Sequence, residues 1–284
     1  VAGDEFTGKL SRVEGEDVGT YAITQGTLTL SENYELTFVP GTLTITPVPP
    51  EEPEEIEEEI PDEPPPLLNL ADHFAYIQGY PDGTVRPEGY ITREEVAAVF
   101  FRLLDPEYRE LIRAYEAPFP DVAPDRWSAK HIATLAQGGI LTGYPDGTFG
   151  PENYITRAEL AVIASRFDEL TPLDEDRFSD VKGHWAEQYI NSAAAKGWVQ
   201  GYPDGTFQPD NYITRAEFVT LVNRILNRKV RAENILPEAK QFPDLLPDSW
   251  YYEAMQEAVN SHLYEREEDD YEKWLEIYEP DIEM

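Results

Sequence analysis

Gly79-Tyr80-Pro81-Asp82-Gly83-Thr84 returns as Gly143-Tyr144-Pro145-Asp146-Gly147-Thr148 and again as Gly201-Tyr202-Pro203-Asp204-Gly205-Thr206. Each copy leads to Ile-Thr-Arg, which puts Arg93, Arg157 and Arg215 fourteen positions after the first Gly of their copies. So strict an internal repeat constrains the architecture before any single residue is read. Pro before Asp-Gly presets one turn dihedral and Gly allows a positive φ, so each string reads as a tight turn. The Thr before each Arg is a helix N-cap, and the Glu three residues on (Glu95, Glu159 or Glu217) completes a capping box. Phe218, Leu221, Val222 and Ile225 then recur at helical spacing.

An upstream half belongs to each unit. In the third copy Phe178-Ser179-Asp180-Val181 leads to Trp185, Tyr189, Ile190 and Ala193, a helical stripe that Gly197 ends. The second copy has Phe119-Pro120-Asp121-Val122, Trp127 and Gly139, and its Trp-to-turn spacing of sixteen is the same. The first copy has no such half, because the position sixteen before Gly79 is Glu63. Past the third copy, however, the chain offers Phe242-Pro243-Asp244-Leu245 and a helical stretch from Trp250 to His262 with no turn after it. A half missing at one end and a spare half at the other predict ring closure. The C-terminal helix would serve as the first helix of repeat one, since unpaired halves leave apolar faces in water.

Before the repeats lie two other segments. Residues 1–47 alternate apolar and polar residues at period two in Tyr21–Thr24, Thr27–Leu30, Tyr34–Phe38 and Thr42–Ile45, which predicts three or four short strands. Such a sheet is marginal alone and reads as part of a larger β module. Residues 48–66 are almost entirely Pro, Glu and Asp, a composition that predicts a disordered, extended spacer.

Composition narrows the function classes. The 284 residues carry 56 acidic against 22 basic side chains, a net charge of −34, which argues against nucleic-acid and anionic-lipid partners. There is no Cys, hence no disulfide frame, thiolate zinc site or Cys nucleophile. No run approaches the roughly 20 apolar residues of a membrane span. The chain opens at Val1 without a signal peptide and reads as a mature or excised fragment, so secretion stays open.

The pattern Phe-x-Asp-Val, Trp, Gly-Tyr-Pro-Asp-Gly-Thr and Ile-Thr-Arg-Ala-Glu resembles the S-layer homology family over residues 67–262. The phrase Gly19-Thr-Tyr-Ala-Ile, Asn33-Tyr-Glu-Leu-Thr-Phe and Gly41-Thr-Leu-Thr-Ile-Thr-Pro47 resembles the end of MBG-type bacterial surface modules. The first resemblance implies a mainly helical, pseudo-threefold trimer of repeats. It also implies a secreted, non-catalytic protein that binds a pyruvylated secondary cell-wall polysaccharide of Gram-positive-type walls in grooves between repeats. On that basis the glycan ligands are Arg93, Arg157 and Arg215, the Arg of each motif reading the pyruvate carboxylate, with Gly183, Trp127, Trp185 and Trp250 beside them. Two departures stand out. Glu94 replaces the motif Ala next to Arg93, which weakens that groove for an anion. The Gly before His-Trp occurs only as Gly183, its counterparts being Asp125 and Asp248.

Each of these residues has a structural alternative. The Arg residues can pair with an acidic residue of the fold, for instance the Asp of Phe-x-Asp. Asp121, Asp180 and Asp244 read as caps of the following helix, and Asp82, Asp146 and Asp204 as turn residues rather than calcium ligands, since no twelve-residue ligand ladder surrounds them. The Trp residues read first as core. His73, His131, His184 and His262 fall at unrelated repeat positions and show no metal spacing, so no metal or cofactor is expected.

The expected fold is therefore an α+β multidomain chain: a β-rich module at 1–47, a linker at 48–66, repeat one at 67–118, repeat two at 119–177, repeat three at 178–241, and a closing half-repeat with an acidic tail at 242–284. Two further functions stay open. The chain can be the targeting module of a wall-acting glycoside hydrolase or other secreted enzyme, or a subunit of a self-assembling S-layer lattice that also contacts other subunits. The linker reading makes a direct expectation: limited proteolysis of the whole chain should cut first within 48–66 and release the repeat region intact. First cuts inside the repeats would contradict it.

Overall fold

The computed structural model describes residues 5–17, 19–45, 68–170 and 176–280. The linker assigned to 48–66 lies outside these residues. The chain divides into two compact units, 1–63 and 64–284.

In the first unit β1 (Ser11–Arg12), β2 (Gly19–Thr24) and β3 (Gly41–Ile45) form an antiparallel sheet in that order. Tyr21 stands opposite Leu43, and Ile23 opposite Gly41. Two expected strands are corrected. Thr27–Leu30 contributes only an isolated bridge, Thr29 to Thr7, and Tyr34–Phe38 pairs with nothing in a ladder. Alternation alone does not make a strand, which requires a partner edge, and the chain turns at Ser31–Tyr34 before one is met.

The second unit is mixed α and β. Its helices are α1 (Arg93–Leu103), α2 (Pro106–Leu111), α3 (Ala129–Gln137), α4 (Arg157–Ser165), α5 (Glu187–Ala195), α6 (Arg215–Ile225) and α7 (Tyr252–Val259). Thr92, Thr156 and Thr214 cap α1, α4 and α6 with complete capping boxes, as the sequence pattern requires. The packed pairs are α1 with α3, α4 with α5, and α6 with α7. Each second helix of a repeat thus lies on the first helix that follows it in the chain, and α7 completes the series.

Hydrogen bonds between repeats run in a closed cycle. Ile155 N–H donates to the Ile91 carbonyl at 3.1 Å, Ile213 N–H to Ile155 at 3.1 Å, and Ile91 N–H to Ile213 at 3.3 Å. Tyr90, Tyr154 and Tyr212 surround this cycle with ring centroids 5.4 to 5.6 Å apart. Closure also involves the C-terminal half-repeat. Asp121 accepts from the N–H groups of Phe149 and Gly150, Asp180 from Phe207 and Gln208, and Asp244 from Val85 and Arg86. A Cβ on Gly143, Gly201 or Gly79 would strike Phe119, Phe178 or Phe242 at 2.4–2.6 Å. So Phe242 and Asp244 stand to the first turn as the upstream halves of repeats two and three stand to theirs.

These contacts revise the reading of the Phe-x-Asp aspartates. They do not cap the next helix, for α3, α5 and α7 begin without a side-chain cap. They hold the far turn, where Arg86, Gly150 and Gln208 all sit at positive φ of 50–65°. Two of those three are not Gly, and the carboxylate on their N–H groups offsets the strain of that conformation. Burial acts to raise the Asp121 pKa, but the two backbone N–H groups lower it and the net shift is downward.

After α7 the described part of the acidic tail, to residue 280, carries regular structure. Beyond Val259 the chain forms a hairpin, β4 (His262–Arg266) and β5 (Glu272–Ile277), with a bulge at Leu263/Tyr264. The helix expected to reach His262 stops earlier because Asn260 turns extended, at φ −119° and ψ 133°. Trp274 packs with Val230 and Ala239 in a small second core.

Closure predicts a dependence between distant parts. Asp244→Ala strands two backbone N–H groups of the first turn and should cost about 1–3 kcal/mol. Truncation after Gln241 should abolish cooperative melting of the repeat region. Thermal melting by circular dichroism checks both, and an unchanged transition in the truncated chain would contradict closure.

Candidate functional site

The capping boxes place each motif Arg at the first position of its helix, where the side chain reaches into the next repeat. Arg157 Nε donates to the Phe207 carbonyl at 2.8 Å, Nη1 to Glu217 at 3.1 Å and Nη2 to the Gln200 carbonyl at 3.0 Å. Arg93 repeats this with Phe149, Glu159 and Thr142, and Arg215 with Val85, Glu95 and Gln78. Each guanidinium also lies over a turn Tyr, with Arg93 4.5 Å from Tyr144, Arg157 4.9 Å from Tyr202 and Arg215 5.0 Å from Tyr80. The three Arg are only 6%, 8% and 4% exposed. Their acidic partners are the capping-box Glu of the neighbouring repeat, not the Phe-x-Asp aspartates. One Glu thereby serves both a helix start and a junction between repeats.

Glu94 does not face the Arg93 guanidinium. It binds Arg126 through both oxygens at 2.7 and 2.8 Å and accepts from the Ser128 hydroxyl at 2.7 Å. Its charge is therefore matched by Arg126, and the expectation that it weakens the Arg93 groove loses its premise.

The three Trp are corrected from core to surface. Trp127, Trp185 and Trp250 are 54%, 59% and 69% exposed, each just before the helix it was expected to begin. Gly183 has a positive φ of 75° and open space where a Cβ would be, and its N–H donates to Glu187 at 2.6 Å. Asp82, Asp146 and Asp204 are turn residues. Each accepts from the N–H and hydroxyl of the Thr two positions on, and hydrogen bonds of this kind lower all three pKa values.

Two concavities lie beside these residues. One of about 470 Å³ is lined by Tyr80, Arg102, Trp127, Lys130, His131 and Arg215 among others. The other, about 670 Å³, is lined by Glu88, Tyr90, Tyr202, Asp210, Glu217 and Trp250 among others. The first gathers three cations, one of them (Arg215) paired with the lining Glu95, and an exposed indole on a chain of net charge −34. The second is aromatic and acidic. The helix position of Lys130, three after its Trp, is Gln188 after Trp185 and Glu253 after Trp250. The repeats thus present similar frames with different charge.

The fold also assembles a group that spacing along the chain did not reveal. His73 and His262, read as unrelated, meet Glu257 and Glu272 in the interior, and all four are buried. Nearly two hundred residues separate His73 from Glu272, so only the folded chain shows the grouping.

The S-layer homology domain model matches residues 73–97, 118–161 and 177–219, and the model of the MBG domain (YGX type) matches 1–44. Cell surface glycoprotein 1 of Acetivibrio thermocellus is 39% identical over 79% of this chain and 10% of its own length. The cellulosome-anchoring protein of the same organism is 36% identical over 72% of this chain and 46% of its own. S-layer protein EA1 of Bacillus anthracis is 36% identical over 50% of the chain and 16% of its own. The chain thus spans less than half the length of these relatives. With three matched repeats whose capping boxes, turns and aspartate contacts recur in kind, it belongs to the S-layer homology domain family and carries an MBG domain (YGX type) ahead of the repeats.

Proposed function

We propose that this chain is a non-catalytic anchor that holds a surface protein to the cell wall by binding an acidic, pyruvylated polysaccharide in a groove between repeats. The family and its relatives place the chain at the cell surface or wall. We read the repeat region as a pseudo-threefold trimer of units divided at 67–118, 119–177 and 178–241 and closed by 242–284; the cyclic backbone bonds and the Asp244 contacts support that reading.

One observation carries the glycan assignment: the groove that combines Trp127, Lys130, Arg102 and Arg215 on an otherwise strongly acidic chain. A ketal-linked pyruvate presents one carboxylate beside an apolar sugar face. An ammonium and a guanidinium suit the first, and an exposed indole suits the second. The buried Arg residues already carry a carboxylate partner, so in this reading Arg215 forms the groove floor and Lys130 adds positive charge at the rim. The groove at Trp250 is lined by Glu88, Asp210 and Glu217, and the position of Lys130 is Glu253 in that repeat, so it suits an anion less well. Gly183 leaves backbone open beside Trp185, which suits close approach of a sugar there.

We expect Trp127→Ala and Lys130→Glu each to weaken binding of a pyruvylated disaccharide by about tenfold or more, the loss typical of a charged hydrogen bond or stacked ring. Trp250→Ala should have a smaller effect. Calorimetry on the full chain checks this, alongside pull-down on walls before and after chemical removal of pyruvate. Unchanged affinity in the Trp127→Ala, Lys130→Glu double variant would refute the groove, and equal capture by depyruvylated walls would refute the ligand.

A further inference from the structure

We propose that His73, Glu257, His262 and Glu272 form a structural site for one Zn²⁺ ion that clasps the C-terminal hairpin to the start of the repeat region. His73 precedes the first turn, Glu257 lies in the last turn of α7, His262 opens β4 and Glu272 opens β5. Their exposures are 2%, 1%, 1% and 0%.

One atom from each converges on a common point, all four within 4.8 Å of one another. His73 Nδ1 lies 3.3 Å from His262 Nε2, 3.4 Å from Glu257 Oε1 and 3.1 Å from Glu272 Oε2. His262 Nε2 lies 3.0 Å from Glu257 Oε1 and 3.4 Å from Glu272 Oε2. A tetrahedron with metal–ligand bonds of about 2.0–2.1 Å has edges of roughly 3.3–3.4 Å. Five of the six edges here are 3.0–3.4 Å. The sixth joins the two carboxylates, within 4.8 Å, whose mutual repulsion calls for positive charge between them.

The hydrogen-bond pattern points the same way. His262 Nδ1 lies 3.1 Å from the Asn260 carbonyl, a contact that needs the proton on Nδ1 and leaves the Nε2 lone pair directed at the centre. Neither oxygen of Glu257 has a well-formed hydrogen bond, although the residue is buried. The second oxygen of Glu272 is 3.3 Å from the Lys229 N–H and 3.5 Å from Arg266 Nη2, which orients that carboxylate. Tyr264 stacks on His73 at 3.9 Å and Trp274 on His262 at 4.1 Å, fixing both rings. Two imidazoles with two carboxylates suit Zn²⁺, whereas Ca²⁺ and Mg²⁺ need more oxygen ligands than the site offers.

The rival occupant is a pair of protons. Burial opposes a charged His262, yet its contacts with Glu257 and Glu272 raise its pKa. Two protons would leave the carboxylates ion-paired to imidazolium without any metal. The clasp would work either way at the backbone, where His262 N–H donates to the His73 carbonyl at 2.9 Å. Only a metal makes its strength depend on a chelator.

The test uses untagged full-length chain, stripped with a chelator and titrated with ZnCl₂. The expected result is one Zn²⁺ per chain, a higher melting temperature that the chelator reverses, and no response to Ca²⁺ or Mg²⁺. Co²⁺ in its place should give the intense visible bands of tetrahedral coordination. Glu257→Gln should lower Zn²⁺ affinity by at least about a hundredfold, more than loss of an outer-shell partner. If that variant does not fold, the Co²⁺ spectrum of the unaltered chain decides alone. Absence of stoichiometric binding, an octahedral Co²⁺ spectrum, or melting indifferent to the chelator would overturn the assignment in favour of protons.

Discussion

The junction between repeats depends on a guanidinium that is held on all sides. Arg93, Arg157 and Arg215 each give hydrogen bonds to two carbonyls and a Glu of the next repeat while lying over a turn Tyr. Breaking a buried ion pair by removing one partner typically costs about 3–5 kcal/mol, because the other charge is left in a poor solvent. Lys has neither the planar fork nor the number of donors to replace it. The charge needs of the helix start, the turn and the junction are thus met by one Arg–Glu relay per repeat, passed around the ring. The grooves inherit their shape from it.

That arrangement assigns different tasks to residues of the same motif. The Arg is chiefly a tie between units, so in the proposed function ligand selectivity falls to positions that vary between repeats, above all Lys130, Gln188 and Glu253. A chain this acidic repels an anionic polymer at long range, with a reach set by the Debye length of about 8–10 Å near physiological salt. In the proposed function, the local cluster of Arg102, Lys130 and the Glu95-paired Arg215 is what suits one groove to such a polymer. Repetition provides the frame, and divergence within it provides the chemistry.

Much of this was legible in the sequence for identifiable reasons. The Gly-Tyr-Pro-Asp-Gly-Thr strings and the Thr-Arg-x-Glu boxes are local signals, set by φ and by backbone N–H groups within a few residues, and the structure has both. The spare Phe242–Asp244 segment was legible by counting. Contacts between distant residues were not. The partners of Asp121 and Asp180 lie nearly thirty residues on within the same repeat, while the partners of Asp244, the engagement of Glu94 by Arg126, and the buried meeting of His73 with Glu272 depend on how repeats dock. Trp exposure was missed because an apolar ring at helical spacing looks like core from sequence alone. The β4–β5 hairpin was obscured by its charge: Tyr264 and Trp274 lie in a stretch dense with acids, which reads only as an acidic tail although Trp274 is buried.

The central claim is that one groove, beside Trp127, takes the acidic glycan. The most direct measurement is ¹⁵N NMR of the indole N–H groups of the full chain, titrated with a pyruvylated disaccharide. The chain has five Trp, so the signals are few and can be assigned by substitution. This account predicts that the Trp127 signal moves first and furthest, with Trp198 and Trp274 unmoved. Movement of Trp250 ahead of Trp127, or no movement of any indole while binding proceeds, would contradict it.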